Sequence, residues 1–274
     1  MSLRMLLFQL SLLPIVAVGE PLPTVASINL CSDQLVLSVA DPEQIRSVSW
    51  LAADAEESML AEQARRYPLN YGSAEEILRF APDVVIAGMY TSTFTRQLLR
   101  DLGYRVVDLA PENNIADIER NLRIVGAALQ RADRAESLIR EMRATVAAFV
   151  ASRHSEPVAA VAIRPGGFTV GAETLAEELM RLAGLRNVAA ENGLDRWGSL
   201  SMETLLLSAP SLLIYTGYRR DERSLANLVL EHPALVRLAR KTATATVAAK
   251  YWSCGLPESL HSVELLKRAV SSRQ

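Results

Sequence analysis

Two cysteines, three histidines, 5% aromatics and a formal net charge of -2 in 274 residues leave little material for several kinds of chemistry. The histidines, His154, His232 and His261, are scattered along the chain, so they supply no convergent set for a bare zinc or manganese ion. A charge so near neutral argues against the basic stripe that marks nucleic-acid partners. No G-x-S-x-G elbow is present, and no Ser, His and Asp set falls together, which leaves a hydrolase without its usual signature. The glycine-containing stretch Arg164-Pro165-Gly166-Gly167-Phe168 lacks the lysine and hydroxyl residue of a phosphate loop, and reads as a tight turn after a strand. Beyond the first twenty residues no apolar run approaches the ~20 residues that cross a membrane.

Half of the residues are hydrophobic and 22% are charged, enough to fill real cores and far from a disordered composition. The length exceeds one ordinary domain and predicts two. The opening, MSLRMLLFQLSLLPIVAVGE, carries an early positive charge at Arg4, an apolar stretch from Met5 to Val18 broken by Gln9 and Pro14, and small residues before Glu20. It reads as a secretory signal peptide, residues 1–19, cleaved near Gly19 and Glu20. No cysteine for lipid attachment follows directly, since Cys31 lies well past that point. The expected localisation is the periplasm.

Alternating apolar and amphipathic segments predict strands at 24–28, 46–50, 83–87 and 105–109, with helices near 33–40, 56–66, 74–81, 92–102 and 116–130. The pattern returns with strands at 158–163, 211–215 and 244–248 and helices near 172–183, 202–208, 233–240 and 258–271. Strands separated by helices imply parallel pairing. Between Pro111 and Pro157 the sole glycine or proline is Gly126, and Leu138, Met142, Val146 and Phe149 recur at helical spacing. A helix over 132–152 spans about 30 Å at 1.5 Å per residue, long for a crossover within one sheet and suited to a rod between lobes. The expected fold is α/β: two Rossmann-like lobes, 20–130 and 157–274, joined by one long backbone helix within 131–156. Such a rod resists bending, so the lobes are expected to tilt only slightly on binding.

GSAEEILRFAPDVVIAG, from Gly72, and SMETLLLSAPSLLIYTG, from Ser201, read as one unit built twice. Ser73 and Ser201 are the N-caps, Glu76 completes a capping box in the first copy, and Glu75 and Glu203 fall at the second helical position of each. A carboxylate there gains about 0.3–1 kcal/mol from the helix dipole without any partner. Paired placement also suits two cations on a two-fold symmetric partner, where such contacts fix register and speed encounter.

These units, together with ASINLCSDQLVLSVADPEQIRSVSW and RPGGFTVGAETLAEELMRLAGLRNVAAENG, resemble the periplasmic substrate-binding proteins of ABC importers for vitamin B12 and iron(III)-siderophores. The resemblance covers nearly the whole chain after the leader. It implies two α/β lobes joined by a helix, a metal chelate held between them, and one glutamate per lobe docking on the inner-membrane permease dimer. Glu75 and Glu203 match those glutamates by their equal distance to Pro82 and Pro210. A monomer is expected, with no cofactor beyond the cobalt or iron of the ligand itself. A secreted two-lobed enzyme and a periplasmic sensor domain are the alternatives from other classes.

Ligands of open parallel sheets collect beyond the carboxyl ends of strands. That rule selects Cys31, Ser32, Asp33, Trp50 and Tyr90 in the first lobe, and Arg164, Phe168, Trp197, Tyr218, Tyr251 and Trp252 in the second. Flat apolar faces with polar tips suit a large, partly hydrophobic ligand. A basic ring from Arg96, Arg164, Arg196, Arg219 and Arg220 would favour an anionic siderophore, aromatic walls a corrinoid, and Tyr90 or Tyr218 would be the axial ligand of a heme. Cys31 and Cys254 admit three readings: a disulfide across the cleft, free thiols packed as small apolar groups, or soft metal ligands.

Overall fold

The computed structural model describes residues 21–152, 156–217 and 225–271. The leader, His154, Tyr218, Arg219 and Arg220 lie outside the described residues. In the first half, strands β1 (Val25–Ser27), β2 (Ile45–Ser49), β3 (Leu69–Asn70), β4 (Val84–Gly88) and β5 (Arg105–Leu109) form one parallel sheet in the order β3-β2-β1-β4-β5. Helices α1 (Leu30–Val39), α2 (Ala61–Ala64), α3 (Ala74–Phe80), α4 (Thr93–Asp101) and α5 (Ile115–Ala128) separate them. Every residue of β1 and β4 is buried, as befits central strands covered on both faces.

Helix α6 (Ala132–Ala151) follows and runs for 20 residues, buries Ala135, Ile139 and Met142, and leads into the second half. There β6 (Val158–Ile163), β7 (Phe168–Val170), α7 (Leu175–Leu182), β8 (Leu185–Asn187), α8 (Val188–Glu191), β9 (Trp197–Ser199), α9 (Met202–Leu207), β10 (Leu212–Thr216), α10 (Pro233–Ala239), β11 (Ala243–Val247), α11 (Lys250–Ser253) and α12 (His261–Ser271) succeed one another. A second parallel sheet has the order β11-β10-β6-β8, and β7 pairs antiparallel with β9. The chain therefore forms two separate α/β sheets rather than one sheet with a long crossover.

The rod is held by both halves. One apolar cluster runs from Leu35 and Ile86 through Ile139 and Met142 to Leu179 and Leu212. Gly126 stands inside α5 because a methyl group there would lie 2.6 Å from the Cβ of Ala135 on α6, so only glycine admits this crossing. Beside it Glu119 accepts from Arg143, and Arg123 donates to Glu136 at 2.7 Å, tying α5 to α6. The Arg143 guanidinium holds the Glu119 carboxyl below its ordinary pKa.

Three expectations change. The helix expected over 56–66 shrinks to α2, because Asp54 accepts the Glu56 amide and closes a turn ahead of it. The helix expected from 172 begins at Leu175 after the N-cap Thr174. Strands β3, β7, β8 and β9, of two or three residues each, are too short to show a period.

Candidate functional site

Strand order fixes where a crevice opens. In the first sheet β1 has β2 on one side and β4 on the other, and in the second β6 lies between β8 and β10, so the connections leave in opposite directions at each of these points. Side chains beyond the carboxyl ends of such strands part and leave space for a ligand. A cleft opens there, with Asn29, Cys31, Met89 and Tyr90 from the first lobe facing Trp197 and Trp252 from the second. A neighbouring recess is lined by Glu56, Glu57, Arg164, Gly217 and Thr246, and Ser253 borders both.

Arg164 stands at the recess. Its guanidinium lies over the Trp197 ring, 5.2 Å from the centroid, and packs on Gly217, whose φ of +65° brings the backbone close. Burial lowers its pKa, opposed by the charge of Glu57. The following residues do form a tight turn: Gly167 donates to the Arg164 carbonyl at 3.1 Å, and Gly166 has a φ of +76°.

Cys31 and Cys254 are joined in a disulfide, with Cα atoms 5.1 Å apart, which selects the first of the three readings. The bond ties the first turn of α1 to the segment after α11, and Cys31 lines the cleft. Other ties run beside it: the Ile115 amide donates to Glu178 at 2.7 Å, and Lys250 donates to the Ala55 carbonyl at 2.8 Å. Gly255 packs so tightly on Glu112 that no side chain fits in its place.

Of the residues selected from sequence, Cys31, Ser32, Tyr90, Trp197 and Trp252 line the cleft and Arg164 lines the recess. Asp33 does not reach the cleft. It is fully buried and accepts hydrogen bonds from the Ser49 amide at 3.1 Å and the Ser49 hydroxyl, tying α1 to the end of β2. Tyr251 is also a correction: it packs against His261, ring centroids 5.2 Å apart, in a groove bordered by Met142 and Thr145 of α6. It and Trp252 are consecutive on a one-turn helix and so point about 100° apart. Trp50 stacks on Tyr71 at 6.2 Å, and both are exposed outside the cleft lining. Phe168 lies half-exposed over a pocket bounded by Val161 and Val229. Glu75 and Glu203 are exposed, each in the first turn of its helix.

Sequence reasoning missed Glu112, Thr174 and Leu175, which also line the cleft. Glu112 follows β5, so the strand-end rule would have found it had that strand been included. Burial pushes its carboxyl up, against a hydrogen bond from Asn121. Of the arginines weighed as a basic ring, Arg96 pairs with Asp108 at 3.2 Å, and Arg196 lies exposed 3.9 Å from Glu173. Among the described residues no group of three or more His, Cys, Asp or Glu side chains forms a metal site.

Asp33 gives a stability prediction. Burial raises its pKa to about 6, while the bonds from Ser49 pull it down. A raised folded-state pKa means that the folded chain holds this proton longer than the unfolded chain does. Its contribution is therefore complete below the unfolded value near 4 and lost as pH rises through about 6, on the order of 3 kcal/mol. Asp33→Asn keeps an acceptor for the Ser49 amide and removes the charge. Urea unfolding of both proteins from pH 4 to 7 should show the wild type losing stability relative to the variant; parallel curves would refute the assignment.

A family model described as periplasmic binding protein matches residues 25–240. No curated protein matches the sequence significantly. Among solved structures, the periplasmic heme-binding protein RhuT from Roseiflexus sp. RS-1 is similar at 20% identity, covering 90% of this chain and 98% of its own, with a TM-score of 0.74. The periplasmic vitamin B12-binding protein BtuF of Vibrio cholerae matches at 17% identity, 93% and 99% coverage and a TM-score of 0.67. An ABC-type Fe3+-hydroxamate transport system protein from Saccharomonospora viridis DSM 43017 matches at 20% identity, 91% and 93% coverage and a TM-score of 0.66. At these identities the likeness carries the fold: two α/β lobes with parallel sheets joined by a helix.

Proposed function

The chain belongs to the periplasmic binding protein family, and from that premise we propose that it captures a flat metal macrocycle, corrinoid or heme, between its lobes and delivers it to an ABC permease. The observation that carries this reading is the cleft itself. The exposed Met89, Tyr90 and Trp197 wall it above the buried Trp252, and Arg164 is the one guanidinium among the described residues that borders it or its recess. Aromatic faces bury a broad, weakly charged ring system well, and one cation orients a polar substituent. A polyanionic siderophore needs several converging cations, and of the described arginines Arg96 is paired with Asp108 away from the cleft. The likeness in fold to heme-binding and vitamin B12-binding proteins supports the same ligand class.

The metal enters as cargo. Tyr90, strongly exposed at the cleft mouth, offers a phenol oxygen to a ferric heme. No reaction belongs to this reading, since the family consists of solute-binding proteins. Residues 1–19 would direct export, and no described helix is long and apolar enough to cross a membrane. Glu75 and Glu203 would dock the loaded protein on its permease.

Purification from the exporting host, followed by an absorption spectrum and mass of the released small molecule, tests the ligand class. The reading predicts a cobalt corrin or an iron porphyrin at one per chain. A ferric hydroxamate, or conversion of the bound chelate to product, would overturn it.

A further inference from the structure

The repeated unit presents more than its glutamate. Setting Ser73 on Ser201 brings Glu75 onto Glu203, Ile77 onto Leu205, Leu78 onto Leu206 and Ala81 onto Ala209. The structure keeps this register in detail. Each serine hydroxyl accepts the amide of the third helical residue, at 3.3 Å from Glu76 and 3.0 Å from Thr204. Each alanine takes the left-handed conformation, with φ of 43° and 41°. Ile77 and Leu205 are buried, whereas Leu78 and Leu206 are 42% and 40% exposed.

Residues three apart on a helix share a face, so each exposed leucine lies beside its lobe's exposed glutamate. A helix dipole accounts for the carboxylates. It gives no reason for the leucines. Single exposed leucines are ordinary, but here the same side chain recurs at the same position next to the same charge in both lobes. The second copy widens its apolar area with Leu207, 79% exposed, where the first has Arg79.

We propose that Leu78 and Leu206 are the apolar halves of two matched contact knobs, each seating beside a cation on one subunit of a membrane-embedded two-fold dimer. This rests on the delivery reading above. No ion pair among the described residues involves Glu75 or Glu203. Two uncompensated carboxylates beside apolar groups fit a partner of opposite charge, and they repel a second copy of this chain brought face to face. Contacts of mixed character are what interface cores use: the apolar part excludes water around the charged part and strengthens it.

The test places a benzophenone amino acid at Leu78, at Leu206 and, as a neighbouring control, at Arg79, in the full protein within its exporting host. Cross-linked partners are identified by mass spectrometry. Both leucine probes should label one and the same permease polypeptide. Leu78→Ser with Leu206→Ser should leave the urea midpoint unchanged and cut the labelling from the Arg79 probe at least tenfold. If the Arg79 probe labels the permease while the leucine probes do not, or the serine pair leaves its yield intact, the apolar halves fall and delivery stands. If all three probes miss the permease, or label a second copy of this chain, the delivery reading falls as well.

Discussion

Replacing Cys31 and Cys254 together by alanine lowers the free energy of unfolding by about 5 kcal/mol. The bond closes a loop across a sequence separation of 223, and closure removes more entropy from an unfolded chain as the loop grows. Two other ties between the halves, from Ile115 to Glu178 and from Lys250 to Ala55, are single hydrogen bonds, worth about 1 kcal/mol each, or up to ~3 where a charge takes part. The disulfide therefore dominates them. It also sits in the cleft, since Cys31 lines it, so its loss loosens the two walls that face a ligand. Urea unfolding of the oxidised protein, the oxidised protein with a dithiol, and the double variant measures this. The last two should share a midpoint well below the first. Coincidence of all three would mean that the bond constrains nothing that the fold does not already hold.

Much of this arrangement is legible in the chain because its signals are local. A stretch of some forty residues with one glycine and no proline reads as helix, and α5 and α6 occupy it. The central strands read as apolar runs between helices. The strand-end rule locates Cys31, Tyr90, Arg164, Trp197 and Trp252 without any coordinates. It fails where side-chain direction matters: Asp33 and Cys31 sit on the same first turn of α1, yet one faces Ser49 and the other the cleft. Tyr251 and Trp252 part company for the same reason. Cys31 and Cys254 lie too far apart in sequence for any local pattern to join them, and only the meeting of the two lobes does so. Glu112 depends on Asn121 and Gly255, one from a neighbouring helix and one from the other lobe.

If Glu75 and Glu203 dock the protein as proposed, removing both carboxylates gives the second large effect. Glu75 and Glu203 are exposed and belong to neither the cleft nor its recess, so Glu75→Ala with Glu203→Ala leaves the walls of the site untouched. Each glutamate meeting a cation of the partner contributes about 1.5–3 kcal/mol as a charge-assisted contact. Loss of both weakens docking by at least about 3 kcal/mol, on the order of a hundredfold. The helix-dipole term forfeited at each site is smaller, about 0.3–1 kcal/mol, and acts on folding rather than on docking. Single variants should fall between the double variant and the wild type, because the two sites act on one partner.

Affinity for hemin and cyanocobalamin by absorbance titration, measured alongside uptake of the tighter binder in cells carrying only the double variant, tests capture and delivery together. The account predicts that one of the two binds the variant as tightly as it binds the wild type while uptake falls about a hundredfold. Uptake at the wild-type rate, or no binding of either macrocycle to the wild-type protein, would contradict it.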